Sequence, residues 1–470
     1  MTKERTERLT FREKLGYGIA TAGDGAVYNF VGIYFLFFLT TVAGVSPGKA
    51  GTISSIALFA SAFFTIFIGY FSDNSRCKTG RRRPYVAAGL PFLLIAFIAM
   101  FTNIDLSENV KAWYYGIFAI IFWLAYSMFY VPYTALGAEI TSDYDDRTRI
   151  RTYAITCNSA GNYFGMVFPL LIVGFFVGQG QSNSAAWTYT AMVSGVFAVL
   201  TMAVMLKETK GKELIIPQEK RTGRKNIFTD YVEVIKVKPC KYLILSIIFA
   251  IIGYTVFNGS VAYFITFNLG LPESYTSTIF LVLCVAVIIY APLINKLATQ
   301  RGKRNAYILA LVASAILMAL FKFVGIESQL MLLVLAAVYT IGGAGYWQLM
   351  SAIIYDLTEI VELKYGKRSE GTLSSLQSVF QQIGTSLGML VTGWILDLTG
   401  FDGNLAVQSQ SALSGIALLL TILPAMGFLL GAAMMYLFPV TKAKYQMVQK
   451  ALKEREETGS FSEEGLKRII

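Results

Sequence analysis

The sequence predicts an all-α membrane protein of twelve transmembrane helices in two six-helix halves. Three observations carry that expectation. The first is composition: 55% of the 470 residues are hydrophobic, 15% are charged, and mean hydropathy is +0.56. Soluble domains carry about 25% charged residues. The second is a series of twelve apolar runs, each about twenty residues or more, enough to cross about 30 Å of hydrocarbon as a helix. The third is Gly69–Pro84, which reads G-Y-F-S-D-N-S-R-C-K-T-G-R-R-R-P and packs five cations, one carboxylate and two glycines between two apolar runs. A Lys or Arg at the centre of a membrane helix costs about 3 kcal/mol, so this segment is a surface loop. A fainter copy recurs at Asn295, Lys296, Thr299, Gln300, Arg301, Gly302, Lys303 and Arg304. Such recurrence suggests two halves built on one plan.

In chain order the runs occupy 16–42, 48–72, 84–103, 112–138, 151–178, 187–206, 242–268, 275–295, 305–324, 328–355, 371–396 and 411–438. None shows the strict alternation of a barrel strand. The N-terminus is charged and polar through Lys14, so no cleavable signal peptide is expected. With that terminus inside, all but Lys49, Lys111 and Lys322 of the 40 Lys and Arg fall on the inner side. The positive-inside rule then puts both termini in the cytoplasm of a multi-pass cell-membrane protein. The connection 207–241 carries ten Lys and Arg and reads as a linker between an N-terminal bundle, 1–206, and a C-terminal bundle, 242–438. Its Ile227, Tyr231, Val234 and Ile235 are spaced for an interfacial amphipathic helix. The polar tail 439–470 is expected to hold a short helix at 442–456.

The net charge of +11 does not indicate nucleic acid, because the cations cluster between apolar runs. The chain has no histidine, which removes the commonest metal ligand and general base. Cys77, Cys157, Cys240 and Cys284 are scattered without a C-x-x-C pair. There are no paired deep carboxylates and no nucleophile elbow. The expectation is therefore a carrier and not an enzyme, with no cofactor and no metal site. Its partners are a small-molecule substrate and the lipid bilayer, and it acts as a monomer.

Asp24 is the carboxylate farthest from both ends of any run. A buried carboxylate in a membrane is costly and by default marks a pathway or binding site, although packing against neighbouring helices is the plain alternative. Tyr28 stands four residues on and shares its helix face; Asn29 follows. Asn158 and Asn162 are one turn apart in the fifth run, and Tyr126 and Tyr130 one turn apart in the fourth. Tyr254, Thr255 and Asn258 lie in the seventh, Tyr346, Trp347 and Gln348 in the tenth, and Gln377, Gln381 and Gln382 in the eleventh. Amides bond hydroxyls and rings stack on apolar faces, which suits a sugar or glycoside. The alternative is helix–helix adhesion by Asn and Gln. Charged residues at the inner ends, Asp73, Arg81, Arg82, Arg83, Glu139, Arg147, Arg149, Asp356 and Arg368, read as a cytoplasmic gate that makes and breaks during transport.

The two like halves, with the G-x-x-x-D…G-R-R-R loop and its echo, resemble the major facilitator superfamily. Pro132–Thr141, then Asp143–Arg149, together with Tyr355-Asp356, Gly366–Gly371 and Gln377, are similar to the glycoside–pentoside–hexuronide:cation symporters. The resemblance implies the major facilitator fold and covers nearly the whole chain. In the family's melibiose carrier two carboxylates in the second span hold sodium; the matching positions here are Ser61 and Thr65. The acidic sugar-binding residue of the first span is matched by Asp24. Those of the fourth and fifth spans become Tyr130 and Ala154, and a lysine of the eleventh becomes Gln382. The resemblance thus implies a sugar symporter by alternating access that has lost the sodium carboxylates, and Asp24 then suits proton coupling. The rival reading is a carrier of amphipathic compounds such as lipids, steroids or aromatic glycosides, or an exporter or uniporter without sodium coupling.

Overall fold

The computed structural model describes residues 9–73, 75, 80–141, 143–212, 234–365, 370–405 and 407–458. Among them there is no strand. The first six helices are α1 (Phe11–Thr41), α2 (Pro47–Asp73), α3 (Arg83–Met100), α4 (Glu108–Glu139), α5 (Tyr144–Gly178) and α6 (Asn183–Glu208). Then come α7 (Lys238–Tyr263), prolonged by a π-helical turn Phe264–Asn268, α8 (Tyr275–Arg301), α9 (Lys303–Val324), α10 (Gln329–Tyr365) and α11 (Glu370–Leu398). The last span is built of α12 (Gln410–Leu420) and α13 (Ile422–Leu437), and the chain closes with α14 (Lys442–Thr458). Twelve spans are long and apolar enough to cross a membrane, one for each predicted run. The tail helix forms where it was expected. Ile227 and Tyr231 of the expected linker helix lie outside the described residues, as do Arg368 and the side chain of Asp73.

Local chemistry sets the helix ends. Thr10 accepts a hydrogen bond from the Glu13 N–H and its own N–H donates to the Glu13 carboxylate, a capping box that starts α1. Gly270, at φ +64°, turns the chain after the π-helical segment. The last span breaks at Thr421, three residues before Pro424. Proline has no N–H to return to the Leu420 carbonyl, so the ladder is interrupted there.

The Cα positions form two compact units. Unit 1 comprises Met1–Gln218, Val261–Leu281 and Met389–Leu413; unit 2 comprises Glu219–Ser260, Val282–Gly388 and Ser414–Ile470. Unit 1 is organised round α1. The most apolar stretch of α1 is 83% buried, against 33–56% in the other spans. α1 packs on α5 and α6, while α3 and α2 pack on α4. Small residues make the α1–α5 contact close: a Cβ on Gly161 would lie 2.1 Å from the Ala22 carbonyl oxygen, and one on Gly165 would lie 2.2 Å from that of Ala26. No larger residue fits at that separation, so the glycines bring the polar side chains of α1 and α5 together. In unit 2, α9 packs on α10 and α13, and α14 lies against α10.

Candidate functional site

In unit 1 the close α1–α5 contact assembles a run of hydrogen-bonded polar groups. Asp24 is 4% exposed, and its Oδ2 accepts from Asn158 Nδ2 at 3.3 Å. Asn158 Oδ1 accepts from Asn162 Nδ2 at 3.1 Å, and Asn162 Oδ1 accepts from Asn29 Nδ2 at 2.9 Å. Asn29 also donates to the Gly25 carbonyl at 3.0 Å. Three amides therefore lead to one carboxylate, each helix supplying residues about one turn apart. Asp24 Oδ1 is enclosed and has no hydrogen-bond partner among the described residues. No Lys or Arg is ion-paired to Asp24 among those residues.

α4 supplies an aromatic wall to the same place. Tyr126 stands beside Asp24 and stacks on Tyr130 at 5.8 Å. Tyr28 of α1 meets Tyr126 and Trp123, both at 5.7 Å between ring centroids. Seven of the residues singled out from the sequence thus gather in one place: Asp24, Tyr28, Asn29, Tyr126, Tyr130, Asn158 and Asn162. Thr21 belongs with them and was not singled out. Its hydroxyl donates to the Ala154 carbonyl at 2.7 Å, tying α1 to α5 one turn below Asp24. The i−3 spacing to Asp24 was the available signal.

Unit 2 holds a second polar and aromatic cluster. Asn258 Nδ2 donates to the Tyr339 hydroxyl and to the Tyr254 carbonyl, both at 2.8 Å. The Tyr339 hydroxyl in turn donates to the Tyr254 carbonyl at 3.2 Å. Tyr254 and Tyr346 each pack edge-on against Trp347, at 5.8 and 5.3 Å, and Trp347 is half exposed. Gln381 Nε2 donates to the Tyr346 hydroxyl at 2.9 Å. Gln382 is half-buried with its Oε1 enclosed and unpartnered among the described residues, and Gln377 lies one turn before Gln381 on α11. Tyr339 was missed from sequence, although it sits seven residues before Tyr346 on the same face of α10. Gln348 falls elsewhere. It lines a cavity of about 910 Å³ with Asp356, Lys303, Thr299 and Tyr445, between α8, α9, α10 and α14.

The charged helix ends pair inside each unit. Glu139 receives Arg81 and Arg82, and Arg82 also donates to Ser72 Oγ at 2.8 Å. Arg83 donates to the Leu206 carbonyl, and Arg147 to that of Thr141. Arg149 is exposed near Asp146. In unit 2, Asp356 pairs with Lys303 at 2.6 Å. A pair not foreseen from sequence, Lys14–Asp146 at 2.6 Å, joins α1 to the start of α5 with both side chains under 10% exposed.

Comparison with known proteins identifies the family and the fold. The family model described as MFS/sugar transport protein matches residues 16–442. The chain is 28% identical over 462 residues to the uncharacterized symporter YnaJ of Bacillus subtilis, covering 97% of each chain. It is 24% identical to the isoprimeverose transporter of Lactiplantibacillus pentosus, over 94% of this chain and 91% of that one. The xylose transporter XylE of Escherichia coli, in an inward open conformation, superposes with a TM-score of 0.60 at 16% identity, over 93% of this chain and 98% of that one. That likeness shows the major facilitator fold. The chain belongs to the MFS/sugar transport protein family and is a multi-pass membrane carrier of small solutes.

Proposed function

We propose that the chain is a proton-coupled symporter of an uncharged sugar or glycoside, with Asp24 as the proton carrier. Asp24 carries the reading: its carboxylate is enclosed, has no ion-pair partner among the described residues, and ends a run of three amides. An unpaired charge in hydrocarbon is costly, so such a group favours taking up a proton when enclosed and giving it up when wetted. The amides and the Tyr28, Tyr126 and Tyr130 rings offer the hydrogen bonds and stacking surfaces that a sugar needs. The relative named an isoprimeverose transporter supports a sugar substrate. The positive-inside distribution supports cytoplasmic termini, and the protein acts as a monomer. Alternating access would expose the substrate to each side of the membrane in turn.

Sodium is not the coupling ion in this reading. At the second-span positions that resemble the family's sodium carboxylates, Thr65 donates its hydroxyl to the Ser61 carbonyl at 2.9 Å. Neutral hydroxyls alone hold sodium poorly. The test is uptake of a panel of sugars and glycosides into proteoliposomes. An imposed proton gradient should drive accumulation of at least one of them, and replacing sodium by potassium or choline should leave uptake unchanged. A drop of about tenfold or more in the half-saturation constant on adding sodium, worth about 1.4 kcal/mol of binding, would overturn the proton reading.

A further inference from the structure

A second carboxylate lies far from Asp24 in unit 1, in the connection between α7 and α8. Glu273 is the one charged residue in the stretches 30–41, 160–190 and 264–281. Those stretches pack together. Ser274 lies against Gly174 of α5, 3.3 Å from where a Cβ would stand. The Ser277 hydroxyl donates to the Val167 carbonyl of α5 at 2.6 Å. Phe280 of α8 meets Tyr34 of α1 at 6.1 Å, and Tyr34 meets Trp187 of α6 at the same separation. The connection and the start of α8 are therefore seated on α1 and α5 by hydroxyl and ring contacts, and on α6 through Asn183 and Glu273.

Glu273 is the poorly satisfied member of this seat. Its Oε1 has one long hydrogen bond, from Asn183 Nδ2 at 3.5 Å. Its Oε2 is enclosed and has no hydrogen-bond partner among the described residues, and the same holds for the Trp187 indole N–H. The indole lies near the carboxylate but outside hydrogen-bonding geometry. A charged carboxylate left so is costly, whereas a neutral carboxyl is tolerated.

We infer that Glu273 is a second proton-binding site of the carrier, whose protonation seats the α7–α8 connection on α1, α5 and α6 and whose ionisation releases it. On the orientation proposed above, this site faces the outside. The proton comes from the outer solution onto a carboxylate oxygen and returns there on release, so nothing else is consumed. Burial pushes the Glu273 carboxyl up from its ordinary 4.5 to about 7, against smaller opposing effects of Asn183 and Trp187. A raised acid stabilises the seated form fully below pH 4.5. That stabilisation is lost as pH rises through about 7.

The neighbouring groups do not supply a competing switch. The other titratable groups on the packed stretches are the phenols of Tyr34, Tyr163, Tyr189 and Tyr275. On adjacent connections, Lys111 donates to the Ala43 carbonyl, Glu108 holds Lys49 and the Ser46 N–H, Asp402 holds Asn404, and Asp105 is exposed.

Hydrogen exchange on the full chain in lipid nanodiscs tests this. Protection of the amides in 264–281, corrected for the intrinsic pH dependence of exchange, should fall about tenfold or more between pH 5 and pH 8. Glu273→Gln, which stays neutral, should keep its protection at pH 8. Glu273→Ala should be insensitive to pH in this range. An unchanged wild-type profile, or the same fall in Glu273→Gln, would overturn the inference. In proteoliposomes only the outer pH should matter. A response to luminal pH alone would overturn the outward placement while leaving the proton site supported.

Discussion

Units 1 and 2 both bring amides and aromatic rings to the middle of their helices, but among the described residues only unit 1 adds a carboxylate there. In unit 1, Asn29, Asn162 and Asn158 pass hydrogen bonds to Asp24. In unit 2, Asn258 ends on a phenol and a carbonyl, and Gln381 on another phenol. Neutral groups recognise hydroxyls without changing charge, whereas a carboxylate also stores a proton. On the proposed function, coupling and recognition are separable: unit 1 would carry both, and unit 2 recognition alone. The charged helix ends contrast in the same way. Lys14 and Asp146 of unit 1 are buried on both sides, while the Lys303 side chain of unit 2 is 39% exposed.

The largest expected effect comes from removing the charge that distinguishes the units. Asp24→Asn keeps the shape and most hydrogen bonds but cannot ionise. It should abolish accumulation against a gradient and keep exchange between equal pools of substrate. Both activities falling together would make Asp24 a substrate ligand instead, and wild-type uphill uptake would end the contrast. The second effect is on stability. Lys14→Met leaves the Asp146 carboxylate buried without its cation and should cost about 3 kcal/mol. Lys303→Met breaks a wetter pair, in which Asp356 keeps Tyr445 beside it, and should cost about 1 kcal/mol or less. Thermal unfolding of the two variants in one detergent compares them, and equal losses would erase the distinction.

Smaller effects probe unit 2 by itself. Trp347→Ala should raise the half-saturation constant about tenfold by removing a stacking surface. The ratio of protons to substrate should stay at the wild-type value, as read from proton flux beside substrate flux. A changed ratio would mean that unit 2 shares in coupling. The smallest effect is expected from Tyr339→Phe. It removes one acceptor from Asn258, which keeps the Tyr254 carbonyl, so affinity should fall by about two- to fivefold, or about 0.5–1 kcal/mol. No change in affinity would place Asn258 and Tyr339 in packing alone.

Much of the site was legible because membrane helices expose their polar residues as exceptions. Asp24, Asn158 and Asn162 stand out in apolar runs, and spacing of one turn puts pairs on common faces. Gln348 shows where that reasoning stops. It neighbours Trp347 in sequence, yet lies about 100° round the helix and lines the cavity beside α14. Glu273 shows another limit, since a glutamate beside a proline in a short connection reads as an ordinary surface residue. The groups beside its enclosed Oε2 and its Oε1, Trp187 and Asn183, come from α6, far away in the chain.

Sequence alone determined the twelve spans and the doubled plan, because hydropathy and cation placement are local quantities measured against one solvent, the bilayer. It also singled out Asp24 by its cost in that solvent. Tertiary structure decided which groups that carboxylate meets. The close approach allowed by Gly161 and Gly165 set α5 against α1 and so chose Asn158 as its partner. Tertiary structure also decided that Glu139, some sixty residues on, takes Arg81 and Arg82. Such pairings depend on distances between helices, which separation along the chain does not encode.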